Sequence, residues 1–207
     1  MGSNYEKLTL ATMEKIVNVD PNSARTRQML GDSYFAGDKF PEAQRECESA
    51  LKIQPDDARL YYALGNTYFK QFKFRGAEQA YGRTATLDPY NAQAYLMEGT
   101  ALVQLHEYRS AVSSLQRALQ LDAHLVEANA QLGKAPDRVG EAEEAVRHVE
   151  LAVSTDTDGS LHFQLYKLYR KLGKEEKANE ALVTSQKIRA ENQRALQERA
   201  TGPVKSN

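Results

Sequence analysis

ARLYYALGNTYFKQFKFRGAEQAYGRTATLDPYN, residues 58–91, decides the fold, because its neighbours repeat it at a spacing of 34 residues. Gly31, Gly65, Gly99 and Gly133 stand 34 apart, as do Ala43, Ala77, Ala111 and Ala145. Pro21, Pro55 and Pro89 keep the same step, and so do Ala24, Ala58 and Ala92. Three small-residue ladders and a proline ladder in one register mark tandem repeats.

The physical form of the unit follows from its apolar spacing. Tyr61, Leu64, Tyr68 and Phe72 fall three and four apart, as one helix face requires. A second helical pattern follows at Ala77, Ala80, Tyr81, Ala85 and Leu87. It stops at Asp88-Pro89, since proline disfavours helix at the preceding residue and supplies no amide donor. Gly65 and Ala77 have almost no side chain, so two antiparallel helices can approach closely there. One such hairpin leaves an apolar face uncovered, and the next hairpin covers it.

These residues resemble the tetratricopeptide repeat. Tyr61, Leu64, Gly65 and Tyr68 match that family's first helix, and Ala77, Tyr81, Thr84 and Pro89 its second. The resemblance runs from about Tyr5 to Arg189. It implies an all-α fold, a right-handed αα superhelix of helical hairpins whose concave groove binds peptide segments of other proteins.

The expected organisation is a series of units in one register. Residues 1–3 read as an expression scar and residues 4–23 as a half repeat, the second helix only. Full units follow at residues 24–57, 58–91, 92–125, 126–158 and 159–192, then a helical cap extension at 193–200 and a disordered tail at 201–207. The fourth unit is atypical, with Pro136 where Tyr34 and Tyr68 stand in earlier units; its first helix should kink or stop near Lys134–Ala135. Glu98 departs from the pattern where leucine is usual, and Tyr166 replaces the small residue of the fifth unit. Cys47, the single cysteine, sits at the place of Tyr81 and Leu115 and reads as a small core residue.

Composition narrows the function classes. A net charge of −1 gives no push toward nucleic acid or an anionic membrane, and no apolar run approaches a membrane span. His106, His124, His148 and His162 lie in different units without metal-ligand spacing, and no phosphate-cradling loop or nucleophile motif is present. Neither a catalytic site nor a cofactor is expected. The sequence favours the cytoplasm, with the periplasm as the alternative if a leader has been removed.

The open face of the first helices supplies the candidate partner-binding residues. They are Gln28, Asp32 and Phe35, then Tyr62, Asn66 and Phe69, then Leu96, Thr100 and Val103. In the last two units the same face turns basic, with Lys134, Arg138, Lys167, Arg170 and Lys171. Such a groove suits a protein or peptide ligand, with an acidic end for the basic zone. Two specialised grooves of the family are not matched. The carboxylate-clamp places hold Gln28, Asp32, Ala63, Gln93 and Met97, and the asparagine-ladder places hold Met29, Ala63, Met97, Gln131 and Gln164. The alternatives are a substrate-recruiting region of a larger enzyme, or a self-association module forming a weak homodimer through uncovered ends, with Leu8 and Leu10 exposed.

Overall fold

A computed structural model describes Asp20, residues 22–134 and residues 142–200. The expected opening half repeat, with Leu8 and Leu10, lies outside the described residues, as do Pro21, Pro136, Arg138 and the tail. The described chain is all-α, and its helices follow one another as antiparallel hairpins. They divide into two compact units, residues 1–121 and 122–207.

Among the described residues the first unit holds three hairpins. They are α1 (Ala24–Ala36) with α2 (Phe40–Ile53), α3 (Ala58–Lys70) with α4 (Phe74–Leu87), and α5 (Ala92–Gln104) with α6 (Tyr108–Leu121). Helix α2 packs on α3 and α4 on α5, so each hairpin covers its neighbour's apolar face. Where α3 meets α4, Tyr81 is fully buried, and a Cβ added at Gly65 would lie 2.7 Å from its ring. That proximity is why glycine stands there. The Tyr81 hydroxyl donates to Asn66 Oδ1 at 2.8 Å, so the buried phenol is satisfied. Burial, with the neighbouring Tyr62 adding to it, pushes its ionisation far above the ordinary tyrosine range.

Helix starts and turns repeat as faithfully as the core. Ser23 Oγ accepts from Thr26 N at 3.2 Å, Asp57 Oδ1 from Arg59 N at 2.9 Å and Asn91 Oδ1 from Ala94 N at 3.0 Å. These three N-caps stand 34 residues apart and satisfy amides that the first turn of each helix leaves over. Each described hairpin turn then uses one left-handed residue: Asp38 (φ 56°), Phe72 (φ 59°) and His106 (φ 59°) in the first unit, Gly173 (φ 68°) in the second. The next amide returns to the last helical turn, as in Lys73 N to Tyr68 O at 2.9 Å and Lys174 N to Tyr169 O at 2.9 Å. This is the Schellman arrangement, which closes the first helix and aims the chain back along it.

The second unit contains α7 (Val126–Leu132), α8 (Ala142–Ala152), a short 3-10 turn (Val153–Thr155), α9 (Ser160–Lys171) and α10 (Glu175–Ala200). The cap ladder breaks here: Leu125 offers no side-chain acceptor, and α7 has only seven residues. It ends with Gly133 as its cap and Lys134 in a turn. The core of this unit gathers Val149, Ala152, Leu161, Leu165, Tyr169 and Ala178, with Tyr166 packed at its margin. Asp156 closes the start of α9, accepting from His162 N at 2.9 Å. Burial opposes ionisation of Asp156, but the hydrogen bonds from His162 outweigh it and hold the carboxyl below its usual range.

Candidate interaction surface

The first helices of the first unit, α1, α3 and α5, carry the expected binding residues, and these differ sharply in accessibility. Gln28, Phe35, Tyr62, Asn66, Phe69 and Thr100 are half-buried, and Asp32 is exposed. Leu96 and Val103, expected to be open, are buried at 4% and 7% exposure, which corrects their assignment to a ligand face. The reason lies in α5 itself. Ala94, Leu96, Gly99, Ala101, Leu102 and Val103 are all buried, so this helix packs over most of its circumference.

The residues that stay open are held by their neighbours. The Tyr62 ring lies 5.6 Å from that of Tyr81, and burial pushes its phenol upward. Phe69 meets Phe74 edge to face at 5.3 Å, and Phe35 meets Phe40 in the same way at 5.5 Å one unit earlier. Asn66 has its oxygen occupied by Tyr81, while its amide NH2 makes no hydrogen bond among the described residues. Thr100 turns inward, its hydroxyl donating to Leu96 O at 2.8 Å. Two part-open aromatic rings and one amide donor therefore share the outer side of α3.

The basic residues of the second unit have other attachments. Lys134 is exposed after α7. The Lys167 ammonium sits 5.4 Å above the Phe163 ring, and Arg170 donates to the Tyr166 hydroxyl at 3.4 Å. Arg170 and Lys171 occupy the last turn of α9, where cations suit the helix terminus. Arg138 lies outside the described residues.

Two features escaped the sequence reading. Tyr68 donates to Glu48 at 3.1 Å, and Tyr169 to Glu150, each tying a first helix to the preceding second helix. The other is the pairing of Glu98 with Gly82: the glutamate is half-buried on α5, and a Cβ at Gly82 would come within 2.9 Å of its carboxylate. Burial raises its carboxyl above the usual range, Ser114 counteracts this with a hydrogen bond, and Glu78 adds to the rise. The signal for the pair was present in the sequence. Gly82 takes the place of Glu48, and the small residue makes room for the misplaced carboxylate.

Among the described residues no three His, Cys, Asp or Glu side chains gather as a metal site. No described helix is long and apolar enough to cross a membrane. Cys47 is buried, and burial, with the Asp32 carboxylate adding to it, pushes its thiol up to about 11.

Family models for tetratricopeptide repeats match residues 31–71, 58–91 and 92–124. The chain is a tetratricopeptide repeat protein. Among solved structures, YrrB, a TPR protein with an unusual peptide-binding site, is 22% identical with a TM-score of 0.74. That match covers 91% of this chain and 97% of the other. MamA from Desulfovibrio magneticus RS-1 is 17% identical with a TM-score of 0.73, over 87% of this chain and 97% of that one. PilF of Pseudomonas aeruginosa is 16% identical with a TM-score of 0.75, over 94% and 93%. At these identities the likeness is one of fold. No curated protein matches the sequence.

Proposed function

We propose that this TPR protein is a non-catalytic scaffold that binds a peptide segment of a protein partner along the first-helix face of its first unit. The observation that carries the reading is the outer side of α3. Tyr62 and Phe69 keep part of their rings open there, flanking the unengaged amide of Asn66. Rigid aromatic rings supply binding area at low entropic cost, and an amide donor suits a peptide carbonyl. YrrB, of the same fold, has an unusual peptide-binding site, which favours a ligand of that class. The exposed cations Lys134, Lys167 and Arg170 of the second unit would favour acidic residues in the partner, an attraction that salt weakens.

The test is capture of partners on the immobilised chain, peptide mapping of what binds, and titration of the mapped peptide. Tyr62→Ala with Phe69→Ala should weaken it by about 2 kcal/mol or more if both rings are anchors. Asn66→Asp keeps the acceptor for Tyr81 while removing the amide donors, and should also weaken binding. A peptide that binds all of these variants as wild type, with helicity unchanged, places recognition elsewhere.

A further inference from the structure

The turn between α3 and α4 carries a residue that the fold does not ask for. The described hairpin turns place Asp38, Phe72, His106 and Gly173 in the left-handed region. Glycine enters this region without cost, and aspartate and histidine enter it more readily than other side chains. A bulky apolar ring at φ 59° is an outlier. Burial does not repay the strain, because Phe72 is 80% exposed. Its ring neighbour is Phe74, met edge-on at 6.1 Å, and Phe74 in turn meets Phe69 at 5.3 Å. An exposed ring on a strained backbone lowers stability on both counts, which points to a role outside folding.

The charges around this turn indicate what would cover it. Lys70 and Lys73 flank Phe72 in the chain. Gln71 Nε2 donates to Phe40 O at 3.4 Å and Gln44 Oε1 at 3.2 Å, and Lys73 Nζ donates to Gln44 Oε1 at 3.0 Å. These bonds hold the turn against the start of α2, beside Lys39. Among the described residues, Lys39, Lys70 and Lys73 form no ion pair with a carboxylate. Asp38 is the one acid of these two turns, and Glu107 of the third turn is engaged by Arg75. The ring therefore stands in a positive surround.

We propose that this turn edge, centred on Phe72 and flanked by Lys39, Lys70 and Lys73, is a docking surface for a partner segment with an aromatic or aliphatic residue between acidic residues. The ligand's apolar residue would extend the Phe69–Phe74–Phe72 series, and its carboxylates would meet the lysines. This surface is distinct from the outer side of α3 and does not depend on it.

The test is selection of a displayed random-peptide library on the full chain, with counter-selection on Phe72→Gly. The selected peptides should carry an apolar residue flanked by Asp or Glu. By fluorescence anisotropy they should bind Phe72→Gly and Phe72→Ala about tenfold or more weakly, as loss of an anchor does. Lys39→Gln with Lys70→Gln should weaken them mainly at low salt. Phe72→Gly should also melt higher than wild type, since it relieves the left-handed strain, whereas Phe72→Ala should not. A ring serving only the fold would give the reverse, with Phe72→Gly less stable. Tyr62→Ala should leave these peptides' affinity unchanged. Failure to recover Phe72-dependent peptides overturns the proposal, as does recovery of peptides without acidic residues. Binding lost in Tyr62→Ala but kept in Phe72→Gly assigns the ligand to α3 instead.

Discussion

Adding one methyl group at Gly65 tests the packing of the first unit more severely than any surface change. In a helix interior, Gly→Ala is worth roughly 0.5–1 kcal/mol of stabilisation through chain entropy. Against that stands the Tyr81 ring, whose Cδ1 and Cε1 would both lie 2.7 Å from the new Cβ. The ring is fully buried and anchored by its hydroxyl to Asn66, so it has little freedom to retreat. Overpacking of this kind costs about 1–3 kcal/mol, leaving a net loss on the order of 1–2 kcal/mol. The equivalent Gly31 offers an internal control, since its added Cβ would meet Cys47 Sγ at 3.3 Å. A small side chain can give by the few tenths of an ångström required there. Gly31→Ala should thus be neutral or stabilising by up to about 1 kcal/mol. Urea unfolding would separate the two variants by roughly 1 M or more in midpoint. In a Tyr81→Cys background, which copies the Gly31–Cys47 pair, Gly65→Ala should lose its penalty, giving a coupling of about 1–3 kcal/mol. If Gly65→Ala proves as stable as Gly31→Ala, Tyr81 does not fix the distance between α3 and α4, and the reasoning fails.

Three further outcomes are expected. Asn91→Ala removes the cap of α5 and should lower stability by about 1 kcal/mol in chemical unfolding, whereas Asn91→Asp should not. Glu98→Gln should be more stable than wild type at neutral pH. The raised folded carboxyl means the native state holds its proton more tightly than the unfolded chain does. Wild-type stability therefore falls as pH rises from the ordinary value of 4.5 through the folded one, and the advantage of the variant should vanish below that window. Cys47, with its thiol held up to about 11, should resist a thiol reagent at pH 8 in the folded chain and react at once in denaturant.

The hairpins could be read from the sequence because small residues, aromatic residues and prolines all obey one period. The face each helix leaves open could be read only in part. Period gives the angle of Tyr62 and Phe69 around α3, and both stay half-open. The same angle at Leu96 and Val103 gives buried residues, because α5 is apolar on several sides and its pattern does not say which side a neighbour covers. The N-caps Ser23, Asp57 and Asn91 bear the right chemistry at the right step, a signal that the reading by apolar period passed over. The left-handed turn ladder was not. Asp38, Phe72 and His106 share a backbone conformation and no side-chain property, so only the dihedral angles reveal them.

The missing cap at Leu125 has a consequence for how the second unit opens. A helix of seven residues, with no side-chain cap at its start, cannot sustain itself in water and borrows its order from what it touches. Ala128 and Leu132 are buried, and Asn129 Oδ1 accepts from His148 Nδ1 of α8 at 2.8 Å. Val126 and Ala130, partly buried, pack against the core of the unit and complete what is seen of its protection. In native-state hydrogen exchange the amides of α7 should trade their protons ahead of those in α3 or α4, by openings far smaller than global unfolding. Solvent would then enter this unit by releasing one short helix while α9 and the start of α10 keep their deuterium out.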